Sequence, residues 1–382
     1  MNVPKLRFKE FNDEWNYKTF DELINIKSES YNPSLNKENY KCIELEHINQ
    51  NTGTINGYCN SQDQKSNKNM FKKNEVLFGK LRPYLKKYWY ATFDGVCSSE
   101  IWVVKSKNQN IVTNKFIYDL FQSHYFLQLC NLSTGSKMPR ADWSFIKEQV
   151  IAIPTIIEQE KIGKTLSLLD KKVELQAKKI EDLKLFKKGL NKNIFSNFNA
   201  KYKVDELIKE YNKKTSKNNQ FEVLSSTANG IILQNEYFNK QAASLDNTGY
   251  KIVPFGFITY RSMSDTGEFH FNIQNITENG IVSPAYPVFE INEDIVDKTY
   301  FIYYINENKS FKNKILSLKE GGTRYALSMS KFKEINLDLP PLEYQKKYSK
   351  LLNTYNRKIK NEENKLNKLQ ELKKGLMQNM FV

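Results

Sequence analysis

Residues 154–196 and 340–382 align without a gap at a constant offset of 186, and this internal repeat limits the possible folds more than any other feature of the chain. Pro154 falls on Pro340, Gln159 on Gln345, Leu166 on Leu352 and Leu183 on Leu369. Lys187-Lys188-Gly189-Leu190 falls on Lys373-Lys374-Gly375-Leu376, and Phe195 on Phe381. Lysine-rich helices often match by chance, but not over such a length with Pro, Gly and Phe positions kept. Upstream the repeat is weaker. Phe20-Asp21-Glu22-Leu23-Ile24 resembles Val204-Asp205-Glu206-Leu207-Ile208 at an offset of 184, and Gly95-Val96-Cys97-Ser98 resembles Gly280-Ile281-Val282-Ser283 at 185. The near-constant offset makes the duplication global: a globular part and a helix, then the same again.

Each repeated segment starts just after a proline and reads as a long helix. In the first, Ile162, Leu166, Leu169, Val173, Ile180, Leu183, Leu190 and Ile194 fall on alternating steps of four and three, a heptad seam interrupted at Gln176 and Lys187. In the second, Tyr348, Leu352, Tyr355, Ile359, Leu366, Leu369, Leu376 and Met380 keep the same register, with interruptions at Glu362 and Lys373. Polar faces flanking the seam point to one narrow partner, and the economical one is the other copy, paired antiparallel about a pseudo-two-fold axis. Gly189 and Gly375 lie inside the pattern and mark a bend or a close backbone approach. The Lys- and Glu-rich outer faces are either solvated or docking surfaces for other subunits.

The seams divide the chain into residues 1–153 (globular), 154–197 (helical), 198–339 (globular) and 340–382 (helical). With hydrophobic residues at 40%, including 24 Phe and 22 Tyr, there is ample material for packed cores. The balance of 58 Lys+Arg against 43 Asp+Glu gives a net charge of +15. Such a charge attracts polyanions, nucleic acid above all, although a Lys- and Asn-rich genome would raise it too. No apolar stretch follows the first basic residues, and no run is long enough to span a membrane. Cys42, Cys59, Cys97 and Cys130 are scattered and form no CxxC pair, and the chain has only three histidines. These features fit a cytoplasmic protein without a disulfide framework or zinc site.

The globular parts mix strand-like runs with helical stretches, an α+β pattern. The runs are residues 76–81, 101–104, 252–260 and 285–289, and the helical stretches lie near 113–130 and 295–316. After the first run, basic and aromatic residues interleave: Lys80, Arg82, Tyr84, Lys86 and Lys87. The equivalent place in the second half holds Tyr260, Arg261 and Ser262. A second polar loop, with Lys137 and Arg140, matches Thr323, Arg324 and Tyr325. Ser98, which closes the repeated 95–98 segment, and the adjacent Ser99 complete the candidate contacts. Arg and Lys can bind phosphates and the major-groove edge of guanine. Ordinary hairpin tips with exposed lysines would look alike, but both loops recur with positive charge in both halves.

Several apparent motifs dissolve on inspection. Gly163-Lys164-Thr165 lacks the preceding glycine of a phosphate-binding loop, since Glu158 stands there, and it lies within the heptad seam. Asn32-Pro33-Ser34-Leu35 lacks the second proline and the aromatic of an amino-methyltransferase motif and reads as a turn. Glu44 and Glu46 near His47 imitate a metal cluster, yet the alternation from Cys42 reads as a half-buried strand. No GxGxxG, HExxH or GxSxG occurs, so the sequence offers no catalytic constellation.

The layout resembles the specificity subunit of a bacterial Type I restriction–modification system. The features that carry the resemblance are Pro4-Lys5-Leu6-Arg7-Phe8 with Trp15, the run Phe78-Gly79-Lys80-Leu81-Arg82-Pro83-Tyr84, the Pro154…Gln159 and Pro340…Gln345 helix starts, and the Lys-Lys-Gly-Leu helix ends with Phe195 and Phe381. The second half departs from the pattern, with Phe257-Ile258-Thr259-Tyr260-Arg261 in place of the Lys-Leu-Arg-Pro-Tyr run. The resemblance implies two α/β target-recognition domains separated by two long helices in an antiparallel coiled coil. Each domain reads one half of a split, asymmetric site in double-stranded DNA. Two methyltransferase subunits bind around the helices and restriction subunits join them. The chain itself is then non-catalytic and binds no cofactor. S-adenosylmethionine belongs to the methyltransferase, and ATP and Mg2+ to the restriction subunit. The rivals are a stand-alone DNA-modifying or DNA-cleaving enzyme and a coiled-coil protein with no DNA role.

Overall fold

The structure, a computed structural model, describes residues 4–132, 138–195, 198, 200–234, 246–317 and 325–381. The chain divides into two compact units, residues 1–178 with 363–382, and residues 179–362. The division cuts both long helices, Ile156–Ile194 and Leu342–Asn379, near their middles, not at the junctions of globular and helical sequence.

In the first unit Asn16–Thr19 pairs antiparallel with Val150–Ile153, the strand leading into the long helix. A one-turn helix, Phe20–Leu23, follows, closed by a capping box between Thr19 and Glu22 that satisfies two otherwise orphaned N–H groups. One sheet has the order Ile24–Asn25, Ile101–Ser106, Val76–Gly79, Tyr88–Tyr90. A second has the order Ser30–Tyr31, Lys68–Phe71, Gly95–Ser98, Lys41–Ile43, Cys59–Asn60. The strand from Cys42 stops at Ile43, and residues 45–47 turn into a short 3-10 helix, which ends the alternation expected there. Glu44 meets Lys68 at 2.7 Å. The stretch near 113–130 forms two helices, Asn114–Leu120 and His124–Leu132.

The second unit repeats this plan, except that among the described residues the edge strand Ser30–Tyr31 is answered only by a single bridge, Lys214 with Lys251. Its sheets run Ile208–Glu210, Val288–Ile291, Ile258–Tyr260, Phe271–Ile273, and Gly230–Leu233, Glu222–Thr227, Asn279–Val282, Lys251–Pro254. Each unit has one parallel pair at the same place, Cys42 opposite Val96 and Val223 opposite Ile281. The apolar run 252–260 is two strands in different sheets, because Gly256 at φ +82° turns the chain between them. The stretch near 295–316 is likewise two helices, Lys298–Glu307 and Lys309–Ser317.

The start of each long helix is tied to its own globular part by a glutamine used identically in both units. The Gln159 carbonyl accepts from the Thr113 N–H (2.9 Å) while its amide donates to the carbonyls of Ile111 (2.8 Å) and Pro154 (3.0 Å). The Gln345 carbonyl accepts from the Asp297 N–H (2.9 Å) while its amide donates to the carbonyls of Ile295 (3.3 Å) and Pro340 (2.8 Å). Both glutamines are fully buried, so their polar atoms need these partners.

Each core then takes in the end of the other helix. Ile162 and Leu166 share the first core with Met377, Met380 and Phe381, and Leu352 shares the second with Ile194, with Leu190 and Phe195 packed against it. Burial of each large apolar side chain contributes roughly 1.5–3 kcal/mol. The two lysines that interrupt the seam are anchors. Lys373 meets Asp170 at 2.6 Å and Gln122 at 3.0 Å in the first unit, and Lys187 meets Glu307 at 2.8 Å in the second. In the second unit Lys179 pairs with Glu362 (3.1 Å) and Phe186 with Tyr355 (ring centroids 5.2 Å), so the helix segments run antiparallel. Ile162, Leu166, Leu169, Ile180, Leu352 and Ile359 are buried, and Val173, Leu183, Leu190, Tyr355, Leu366, Leu369 and Leu376 half-buried. The seam therefore pairs helices and also, at its ends, fills the globular cores. Gly189 and Gly375 are helical with open space where a Cβ would stand, which removes close approach as their reason.

Candidate nucleic-acid interface

In the first unit the candidate interface is a turn following the strand Val76–Gly79. Pro83–Leu85 makes one 3-10 turn between Arg82 and Lys86, both left-handed at φ +52° and +51°. Such backbone costs about 1–3 kcal/mol per residue and persists only where neighbours enforce it. Here they do. The Arg82 N–H donates to the Pro139 carbonyl (2.8 Å), the Asn51 N–H to the Lys86 carbonyl (2.9 Å), and the Gly79 N–H to the Lys87 carbonyl (2.9 Å). The turn thereby holds Arg82 and Tyr84 out to solvent, with Tyr84 54% exposed.

The structure joins the two loops that the sequence shows 60 residues apart. Leu81 bridges Arg140 antiparallel, and the Ala141 N–H donates to the Lys80 carbonyl (2.9 Å). Glu100, unremarkable in the sequence, accepts from two nitrogens of Arg140 at 3.1 and 3.2 Å and lifts its already high pKa. Arg140 thus enters the interface as a paired group. Lys87 donates to the Leu45 carbonyl at 2.5 Å and is similarly engaged. Ser98 ends its strand half-buried, and Ser99 is exposed in the turn beyond. Lys137 lies outside the described residues.

The second unit builds the same junction. Met263–Ser264 pairs with Tyr325–Ala326, and the Leu327 N–H donates to the Ser262 carbonyl (2.9 Å). Arg261 is exposed and acts on Tyr286, whose pKa rises chiefly through burial and is partly offset by that charge. Tyr260 is a correction. It is fully buried in the second core against Phe271 (4.3 Å between centroids), and its hydroxyl donates to the Leu327 carbonyl (3.1 Å). It supports the junction and cannot touch a ligand. Ser262 is half-buried, its hydroxyl donating to the Ala285 carbonyl (2.6 Å), and Tyr325 is half-buried against the core. Thr323 and Arg324 lie outside the described residues.

A family model for the Type I restriction modification DNA specificity domain matches residues 12–185 and again residues 193–371. The chain belongs to this family. Two tandem matches coincide with the two copies of one sheet plan. Among curated relatives, the EcoDI specificity subunit of Escherichia coli is 26% identical over 160 residues, 41% of this chain and 35% of that relative. The MjaVIII specificity subunit of Methanocaldococcus jannaschii is 22% identical over 320 residues, 74% of this chain and 72% of that one. The match thus spans about a third of the first relative's length. The crystal structure of a Type I restriction–modification S subunit from M. genitalium shares the fold, with a TM-score of 0.60 over 100% of this chain and 99% of that one at 19% identity. No described helix is long and apolar enough to cross a membrane.

Proposed function

We propose that this chain is the sequence-reading subunit of a Type I restriction–modification assembly, each unit reading one half of a split target in double-stranded DNA. What carries the reading is the repeated junction: both units bring the turn after one strand together with a distant loop, on a shared scaffold. A phosphate contact from Lys80, Arg82 or Lys86 positions DNA; a base contact from Arg82 or Arg261 discriminates by about 1–3 kcal/mol.

In this reading the chain is non-catalytic. Two methyltransferase subunits carry S-adenosylmethionine and act on an adenine that must leave the stack, and restriction subunits carry ATP and Mg2+. A 39-residue helix is about 58 Å long at 1.5 Å per residue, against ~34 Å for one DNA turn, so the helices suit a spacer between half-sites. Purified chain incubated with DNA, Mg2+ and S-adenosylmethionine leaves the DNA uncut and unmethylated, and modification appears when the methyltransferase partner is added. Methylation by the chain alone contradicts the reading. Inserting four residues, about one turn, into one long helix lengthens the unread spacer in mapped sites; an unchanged spacer removes the helices from that role.

A further inference from the structure

The turn after the first unit's strand holds Lys80, Arg82, Lys86 and Lys87; its counterpart in the second unit holds Arg261, Asp265 and Glu268. Positive charge in the second unit gathers elsewhere. Lys214 forms an antiparallel bridge with Lys251, directly across from it, and the Ile252 N–H donates to the Lys213 carbonyl (2.9 Å). Lys217 follows on the same short loop. Like charges directly opposite on neighbouring strands repel. The corresponding place in the first unit is neutral. There Phe71 faces Gly95 as Val253 faces Gly280, and two residues back Ser30 faces Asn69 where Lys214 faces Lys251.

The loop that carries these lysines is built rather than loose. Thr215 is buried, its N–H donating to the Tyr250 carbonyl (2.8 Å) and its hydroxyl to the Asn247 carbonyl (2.8 Å). The buried Asn247 side chain accepts from the Asn219 N–H (2.7 Å) and donates to the Asn219 side chain (2.8 Å), holding Asn219 left-handed at φ +53°. Lys213, Lys214 and Lys217 are exposed, and Lys251 is half-buried. Burial, and then Lys214, lower the Lys251 pKa against the pull of Glu210, whose carboxylate is shared with Lys333 at 3.7 Å. Among the described residues no carboxylate lies within ion-pair distance of any of the four lysines. Lys213 sits 5.8 Å over the Tyr211 ring, and Tyr211, Phe257 and Tyr286 rim the same small core. Arg261, acting on Tyr286, lies on that rim too.

A polyanion relieves the repulsion between the opposed Lys214 and Lys251, and Lys213 and Lys217 stand exposed on the same built loop. We propose that Lys213, Lys214, Lys217 and Lys251 form the second unit's contact with the DNA phosphate backbone, standing in for the basic turn of the first unit. This rests on the DNA-reading function proposed above. Each phosphate neutralised releases counterions, contributing about 0.9 to the slope of log K against log salt.

The test uses the full chain assembled with its methyltransferase partner, titrated into a duplex carrying the mapped target and into a scrambled duplex over a range of KCl. Replacing Lys213, Lys214 and Lys217 together by Ala lowers the slope by about two to three on both duplexes and leaves the preference between them unchanged, while the triple Lys→Arg variant keeps the wild-type slope. Wild-type slope and affinity in the Ala variant, with the assembly intact, overturn the inference and leave the DNA-reading function standing. A wild-type slope with loss of the methyltransferase partner also overturns it, making the patch a protein contact. Absence of any preference between duplexes in the wild-type assembly removes the DNA-reading function itself.

Discussion

The two units share strand order, the buried glutamine at the helix start and the junction of two distant loops, yet they distribute charge and packing differently. The first sets Lys80, Arg82 and Lys86 on a turn held in left-handed backbone; the second has Met263, Asp265 and Glu268 there and keeps lysines instead at positions 213, 214, 217 and 251. A scaffold fixed by core and helix contacts leaves its tips free to diverge, and binding residues concentrate on such rigidly positioned loops.

The helix ends offer the sharpest way to break the comparison. Phe381 is 9% exposed in the first core and packs on Phe116 at 5.6 Å, whereas its counterpart Phe195 is only half-buried beside Tyr300 and Tyr304. Phe381→Ala is expected to cost about 3 kcal/mol or more, and Phe195→Ala less. Denaturant unfolding followed by a probe in each unit resolves the two losses; equal losses remove the asymmetry.

Next in size is a pH effect confined to the first unit. Asp119 is fully buried beside Lys115 (2.8 Å), and burial pushes its pKa up to about 6 against the pull of Lys115. The nearby charged and titratable groups are Asp170 and Lys373 from the long helices and Tyr88, Tyr90 and Tyr118 from the globular part. Between about pH 4 and 6 the folded state holds more protons than the unfolded one, so the contribution of Asp119 to stability falls as pH rises through that window and is flat above it. At the equivalent place in the second unit stands Tyr303, bonded to Asn353 and Asn356; the carboxylate near it is Glu307, paired with Lys187. Asp119→Asn therefore removes that fall, seen as a pH-dependent difference between wild-type and variant melting temperatures. A constant difference across the window contradicts it.

Smaller effects are expected from Gly189→Ala and Gly375→Ala. With helical backbone and open space at both, each stabilises by about 0.5–1 kcal/mol. Destabilisation by either would restore a packing role for that glycine.

The repeat, the helices and their seam were legible because heptad spacing and an ungapped offset survive in the sequence. The apolar run 252–260 was misleading, since one glycine at positive φ turns a continuous hydrophobic stretch into strands of two sheets. Tyr260 reads as a loop-edge aromatic, and only sheet pairing sends it into the core. The Glu100–Arg140 pair and the opposition of Lys214 and Lys251 depend on register between residues about 40 positions apart, which local pattern does not encode.

The central claim is that each unit reads its own half of a split target. Mapping methylated adenines in cells that carry this chain and its methyltransferase partner tests it most directly, once for the wild type and once for Arg82→Ala. The account predicts a two-part motif with an unread spacer, and for Arg82→Ala relaxed or weakened modification through one half-site while the other half keeps its sequence. A continuous motif, or a change of sequence preference in both halves from this one substitution, would contradict it.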